Sequence, residues 1–282
     1  MAGSYLHKDP WWMTTLIYVF LIVFTIATIY PIIVVINVSL RPGNMLHTTS
    51  LSLIPKNATL EAYRMLFLHK PFLRWLFNST IVSGMVTILG VSLASTAGYA
   101  FSRFRFRGHD FGMIVLITTQ MFPVTMLLVP LFIMLISLHL YDTFLGLVIA
   151  YSATVLPFCI WQMKGYYDTI SVSLEEAARI DGASHFGAFY QIVLPLAAPA
   201  LVITALFSFM GAWSEYLVAA VILNDKTLYT LPLGLKQFQS NFDTEWGLYA
   251  AGAVIVCIPV VALFLVLSRW LISGLTLGSV KG

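Results

Sequence analysis

The sequence predicts an all-α, polytopic membrane protein with about six transmembrane helices. Three observations carry this: a residue inventory too apolar for a water-facing surface, six long apolar stretches, and charge confined almost wholly to the loops between them. Of 282 residues, 59% are hydrophobic and 10% are charged, with a mean hydropathy of +0.89. A soluble domain is about 45–50% apolar and about 25% charged. The inventory excludes a secreted disulfide scaffold, a disordered chain and a freely soluble enzyme. A net charge of +3 is too small and too dispersed for a nucleic-acid partner. Cys159 and Cys257 sit in apolar stretches and read as buried hydrophobes with no disulfide or metal role.

A helix needs about 20 apolar residues to cross a hydrocarbon core of about 30 Å. Six stretches meet that length: residues 11–40, 76–101, 111–138, 143–163, 196–223 and 246–271. The first is longer than a signal-peptide core and has no small-x-small cleavage site after it. Pro31, Pro123, Pro130 and Pro157 fall inside spans, where neighbouring helices can satisfy the freed carbonyls. An even number of spans puts both termini on one side. That side collects Lys8, Arg103, Arg105, Arg107, Lys164, Arg179, Arg269 and Lys281, against Arg41, Lys56, Arg64, Lys70, Arg74, Lys226 and Lys236 on the other. The totals nearly tie, but Arg103, Arg105 and Arg107 crowd one short loop, where basic residues weigh most in setting orientation. The expectation is both termini in the cytoplasm.

The loops are unequal. Residues 41–75 form a long outer segment with turn residues Pro42, Gly43, Pro55 and Asn57, and residues 224–245 form a second. The inner loop at 164–195 has the grammar of a folded hairpin. Ser173 and Glu176 have the spacing of a capping box, and Glu175 and Glu176 sit where a helix N-terminus favours acids. Ala177 and Ala178 favour helix, Asp181 precedes Gly182, and Gly182 is a natural left-handed stop. Ser184 can cap a second short helix carrying Phe186, Phe189, Tyr190, Ile192 and Val193, and Pro195 marks the turn into the fifth span. Two readings fit this grammar: an amphipathic hairpin resting on lipid, and a docking element whose small side chains admit another protein.

Glu176-Ala177-Ala178, three residues, Gly182, nine residues, then Ile192-Val193-Leu194-Pro195 is similar to the EAA loop of bacterial ABC-importer permeases, matching every fixed position. The Trp213-Ser214-Glu215-Tyr216 stretch, Leu231-Pro232-Leu233-Gly234-Leu235, and the ending from Gly274 to Gly282 resemble the carbohydrate branch, within it the second, maltose-type permease. Ser214 departs from the Asn or Asp that relatives often carry there. The resemblance implies a type I ABC-importer permease fold, one permease domain over residues 1–282, and a cytoplasmic coupling loop at 165–195. It implies a bacterial inner-membrane location, a second homologous permease, two copies of a cytoplasmic ATPase, an extracytoplasmic solute-binding protein and a sugar substrate, of the maltose or trehalose type. Glu175, Glu176, Ala177, Ala178, Asp181, Gly182, Ile192, Leu194 and Pro195 would form the ATPase-coupling element. ATP and magnesium would bind in the partner ATPases, with no cofactor, metal or nucleic acid on this chain.

Glu215 is the carboxylate the sequence places well inside a span, beside Trp213 and Tyr216. Charge inside a span is costly and usually faces a bundle interior or a water-filled cavity. The trio therefore reads either as part of a sugar path or as a structural contact. A membrane-embedded enzyme or a secondary carrier using Glu215 is the alternative of a different class. Gln120 and Gln162 read as helix–helix hydrogen-bond partners, and Gly90, Ala94 and Gly98, with Gly247 and Ala251, as small-residue stripes for close packing. Asp225, Lys226, Gln237, Gln239 and Asp243 offer polar surface to a solute-binding protein or simply to solvent. No phosphate loop, H-E-x-x-H or G-x-S-x-G motif is present. The histidines at 7, 47, 69, 109, 139 and 185 lack ligand spacing.

Overall fold

Every regular element among the described residues is helical. The computed structural model describes residues 10–43, 55, 57–240 and 243–277, with side chains in the last helix as far as Ser268. In chain order the elements are α1 (Trp11–Ser39), α2 (Glu61–His69), α3 (Phe72–Arg103), α4 (His109–Thr119), α5 (Val124–Ser137), α6 (Phe144–Tyr167), α7 (Val172–Ile180) and α8 (His185–Ala188). A π-helical turn (Phe189–Val193) follows, then α9 (Leu194–Leu196), α10 (Ala198–Trp213), α11 (Leu217–Ile222), α12 (Leu231–Lys236) and α13 (Trp246–Leu277). Lys8, Lys56, Lys281, His7, His47, the 278–282 end of the C-terminal motif and the Arg269 side chain lie outside the described residues.

Four helices are long and apolar enough to span alone: α1, α3, α6 and α13. Two bent pairs bring the number to six if each is one span: α4 with α5, bent by 106°, and His185–Leu196 with α10, bent by 77°. The third span is thus not one continuous helix. The helix stops at Thr119 and restarts at Val124, next to Pro123, which has no N–H for a continuing ladder and disfavours helical geometry at Phe122. Pro130 and Pro157 are carried inside α5 and α6 without a break. The fifth span also departs from expectation, because α10 ends at Trp213 and α11 starts only at Leu217. Loop 41–75 contains α2, whose short amphipathic pattern is hidden among turn residues.

The chain divides into two compact units, Met1–Lys70 with Phe238–Ile255, and Pro71–Gln237 with Val256–Gly282. In the first, α1 is exposed along nearly its whole length, with only Asn37, Val38 and Ser39 buried. Ser39 Oγ and Tyr63 Oη lie 2.8 Å apart, Arg41 Nε donates to Asn37 Oδ1 at 2.8 Å, and Lys70 Nζ meets the Glu245 carboxylate at 3.2 Å. Gly247 lies close to Gly43 and Ala62, and Ala251 is fully buried.

The second unit is centred on α3, which packs chiefly on α6 and then on α10. The stripe of Gly90, Ala94 and Gly98 is the seam. A Cβ on Gly90 would fall 2.5 Å from Ser208 Oγ in α10, and one on Gly98 would fall 2.8 Å from Met163 Cβ in α6. Small residues let these helices approach, and dispersion between close backbones stabilises the contact where lipid gives no hydrophobic drive. Gln120 Nε2 donates to Thr154 O at 3.3 Å, and Gln162 Oε1 accepts from Thr204 at 2.8 Å, the interhelical roles anticipated for both. Cys159 is buried in this seam, but Cys257 is exposed, because it falls on the outward face of α13.

Candidate functional site

The hairpin at 165–195 is built by a precise set of local bonds. Helix α7 begins two residues earlier than the capping-box spacing predicts. Ser171 occupies the N-cap, and its hydroxyl pairs with Ser173 Oγ at 2.7 Å, so the Ser173–Glu176 box does not form. The C-terminus closes in a Schellman motif: Gly182 N–H donates to Arg179 O at 3.1 Å and Ala183 N–H to Ala178 O at 2.9 Å. Gly182 takes φ +95°, where a Cβ would be strained, which is why glycine ends this helix. Ser184 then caps α8, accepting from the Gly187 N–H at 3.0 Å. The chain passes through the π-turn and α9, so the bend into α10 falls at Ala197, past Pro195.

The two adjacent glutamates part company. Glu176 is exposed, with Ala177, Asp181, Gly182 and Pro195, while Ala178, Ile192 and Leu194 are half-buried. Glu175 turns inward, its side chain 9% exposed. Arg103 Nε meets its Oε1 at 2.6 Å, and Tyr99 Oη donates to its Oε2 at 2.6 Å. Arg103 also donates to Ile170 O at 2.9 Å and to Ser102 Oγ at 2.9 Å. Ser102 in turn donates to Asp168, which accepts from Lys164 at 2.7 Å. Beneath this network Tyr99, Tyr167 and Phe189 pack edge-on or tilted, with ring centroids 4.5–6.4 Å apart. A cavity of about 180 Å³ opens beside it, lined by Arg103, Phe104, Glu175, Glu176, Arg179 and His185 among others. Apolar side chains of the hairpin stand open: Ile180 is 86%, Phe186 72% and Tyr190 62% exposed, with the last two rings stacked at 6.3 Å. An open apolar patch is the surface form of a protein or membrane contact.

The structure places the Trp213–Glu215–Tyr216 trio at the break between α10 and α11. Trp213 is buried, stacked on Phe209, and its Nε1 donates to Val256 O at 3.0 Å. Glu215 does not lie inside a helix. Its carboxylate accepts from the N–H groups of Val218 at 2.9 Å and Ala219 at 3.2 Å, which starts α11 as an N-terminal cap. Tyr216 packs against the core formed by α3, α6 and α11.

Asp225, Lys226 and Gln237 belong to the larger unit, Gln239 and Asp243 to the smaller. Asp225, Lys226, Gln237 and Asp243 are exposed and Gln239 half-buried. The Asn224 and Asp225 N–H groups donate to Asp142 Oδ1 at 2.9 and 3.1 Å. Hydrogen bonds from Thr227, its backbone N–H first, hold the Asp225 carboxyl below the usual aspartate range.

The residues that sequence reading did not single out as a site are Tyr99 and Arg103. Their i, i+4 spacing puts both on one face of α3, but nothing local points from them to Glu175, more than seventy residues on. Asn78 and Asp142 were likewise silent.

The family model described as "Binding-protein-dependent transport system inner membrane component" matches residues 87–276. The maltose/maltodextrin transport system permease protein MalG of Vibrio vulnificus is 37% identical over 273 residues, covering 90% of this chain and 91% of that one. MalG of Escherichia coli is 36% identical over 281 residues, covering 93% and 94%. A chain from the crystal structure of a bacterial ABC transporter involved in import of the acidic polysaccharide alginate superposes with a TM-score of 0.81 at 25% identity, covering 96% of this chain and all of that one. A chain from an alginate transporter in complex with alginate pentasaccharide-bound periplasmic protein shares the fold, with a TM-score of 0.69 at 14% identity.

Proposed function

Because the chain belongs to the family of binding-protein-dependent transport system inner-membrane components, we propose that it forms half of a sugar-translocation path and takes its energy through the hairpin at 165–195. It is a multi-pass, non-catalytic permease subunit of a bacterial inner-membrane ABC importer, and ATP binding belongs to the partner ATPase. The observation that carries the coupling reading is the hairpin itself: a capped, Schellman-closed helical turn whose apolar residues Ile180, Phe186 and Tyr190 stand open. A rigid element passes on displacement that a slack loop would absorb. In this reading Glu176, Ala177, Ala178, Asp181 and Gly182 face a groove on a cytoplasmic ATPase, and Ile192, Leu194 and Pro195 join the hairpin to the path. Two ATPase copies and a second permease complete the assembly, with both termini in the cytoplasm.

The substrate we assign is a neutral di- or oligosaccharide delivered by a solute-binding protein. The names of the MalG relatives support it, and so does the scarcity of basic residues in the spans. Asp225, Lys226, Gln237, Gln239 and Asp243 are candidates for the binding-protein contact. Trp213 and Glu215 are better suited to shaping the α10–α11 break than to touching sugar, since the indole and the carboxylate are both engaged by backbone.

Copurification with a second permease and the ATPase tests the assembly. In reconstituted vesicles Gly182→Pro should break the Schellman bond and uncouple ATP hydrolysis from transport; unchanged coupling removes the docking role. Calorimetry of the cognate binding protein against a sugar panel tests the substrate.

A further inference from the structure

We propose that the buried cluster of Arg103, Glu175 and Tyr99 is the joint that transmits motion of the coupling hairpin to α3. Arg103 and Glu175 are thus positioning residues for transport, and Glu175 is not a contact to the ATPase. This rests on the coupling reading above and adds the route by which the hairpin acts.

Four observations carry it. The Arg103 and Glu175 side chains are only 8% and 9% exposed and are turned toward each other. Both carboxylate oxygens of Glu175 are engaged, one by Arg103 Nε and one by Tyr99 Oη, each at 2.6 Å, and both partners lie on α3. A carboxylate gripped at both oxygens by one helix resists rotation as well as withdrawal. Arg103 holds the approach to α7 by its backbone as well, donating to Ile170 O at 2.9 Å. Finally, Glu176 next in sequence is exposed, so the hairpin has separate acids for its outward and inward faces.

A buried pair is a poor source of net stability, since desolvation offsets much of the attraction, but separating its partners leaves a costly unpaired charge. That fits a joint. A push on the exposed face of α7 cannot slide α7 along α3 without leaving a buried charge unpaired. The hairpin and the end of α3 therefore move together.

The test is a double-mutant cycle in the intact, reconstituted importer, reading ATP hydrolysed per sugar transported together with ATPase copurification. Glu175→Gln and Arg103→Gln should each raise the ratio by about fivefold, the scale of a lost coupling contact, and still hold the ATPase. The double variant should fall short of the sum of the two singles, because the Arg103–Glu175 contact is lost in all three, while the Arg103–Ile170 bond goes only with Arg103 and the Tyr99 bond is weakened only with Glu175. Tyr99→Phe removes one hydroxyl, leaves the ring packing, and should raise the ratio by a smaller factor. It keeps the test alive if a lone buried charge prevents folding. Glu176→Gln should show the inverse pattern, weaker ATPase copurification. Unchanged ratios in the Tyr99 and double variants overturn the joint, as does loss of the ATPase from the Glu175 variants, which would make that acid a docking residue. If the parent complex never holds an ATPase, the docking reading falls first and this one with it.

Discussion

The two ends of α3 are held by opposite chemistries. At its C-terminal end, Arg103 and Tyr99 grip a single carboxylate side chain, Glu175. At its N-terminal end, Asn78 Nδ2 donates to two backbone carbonyls, Thr227 O and Tyr229 O, both at 2.9 Å, and Ser79 Oγ accepts from the Leu231 N–H at 2.7 Å. A side-chain-to-backbone bond fixes the course of a loop whatever side chains the loop carries. An ion pair fixes one residue against another and fails if either changes. The first arrangement suits a loop whose surface can vary with its partner; the second suits a contact that has to keep its register.

The sharpest way to break the contrast is to remove one member at each end. Arg103→Leu leaves Glu175 buried without its cation and should cost about 3 kcal/mol, read as a lowered thermal midpoint of the purified complex. Asn78→Ala strands two carbonyls and should cost about 2 kcal/mol by the same measurement, with the loop at 224–230 becoming more susceptible to limited proteolysis. Ser184→Ala should cost the hairpin about 1 kcal/mol of cap, seen as faster amide exchange over residues 185–188 and no change at 224–230. The smallest effect is a pH dependence. The folded Asp225 carboxyl titrates below the ordinary aspartate value. Its bond to the Thr227 N–H is therefore present above that value and lost as pH falls through the depressed one. Amide exchange at Thr227 should show this acid step in the parent and not in Asp225→Asn.

Much of this was legible in the sequence because it is local. The apolar stretches, the left-handed Gly182, the Ser184 cap and the small-residue seam of α3 each depend on residues close in sequence. The motif Glu176-Ala177-Ala178 to Pro195 was readable for the same reason. What could not be read is what depends on distant residues or on a competition between local options. The Ser173–Glu176 box lost to a start at Ser171, and Glu175 was taken by α3 instead of the helix terminus. Glu215 looked like a charge inside a continuous span because apolar composition alone does not show where a helix stops. Its carboxylate instead accepts from the first N–H groups of the helix that starts there. The 106° bend at 120–123 needed more than the presence of Pro123, since Pro130 and Pro157 cause no such break.

The length of α3 has a geometric consequence. Thirty-two residues at a rise of about 1.5 Å each make a rod of about 48 Å. The Thr227–Leu231 anchorage grips it at Asn78 and Ser79, so a swing of about 10° there works on an arm of about 38 Å and carries the Arg103 tip roughly 7 Å. Gly90, Ala94 and Gly98 sit part-way along that rod and bring it near to α6 and α10. The seam has little slack for such a swing: with Gly98 pressed on Met163 and Gly90 on Ser208, α6 and α10 must sweep the same arc. The leverage then belongs to the three-helix bundle as one thick beam, stiffer than any single helix of its length.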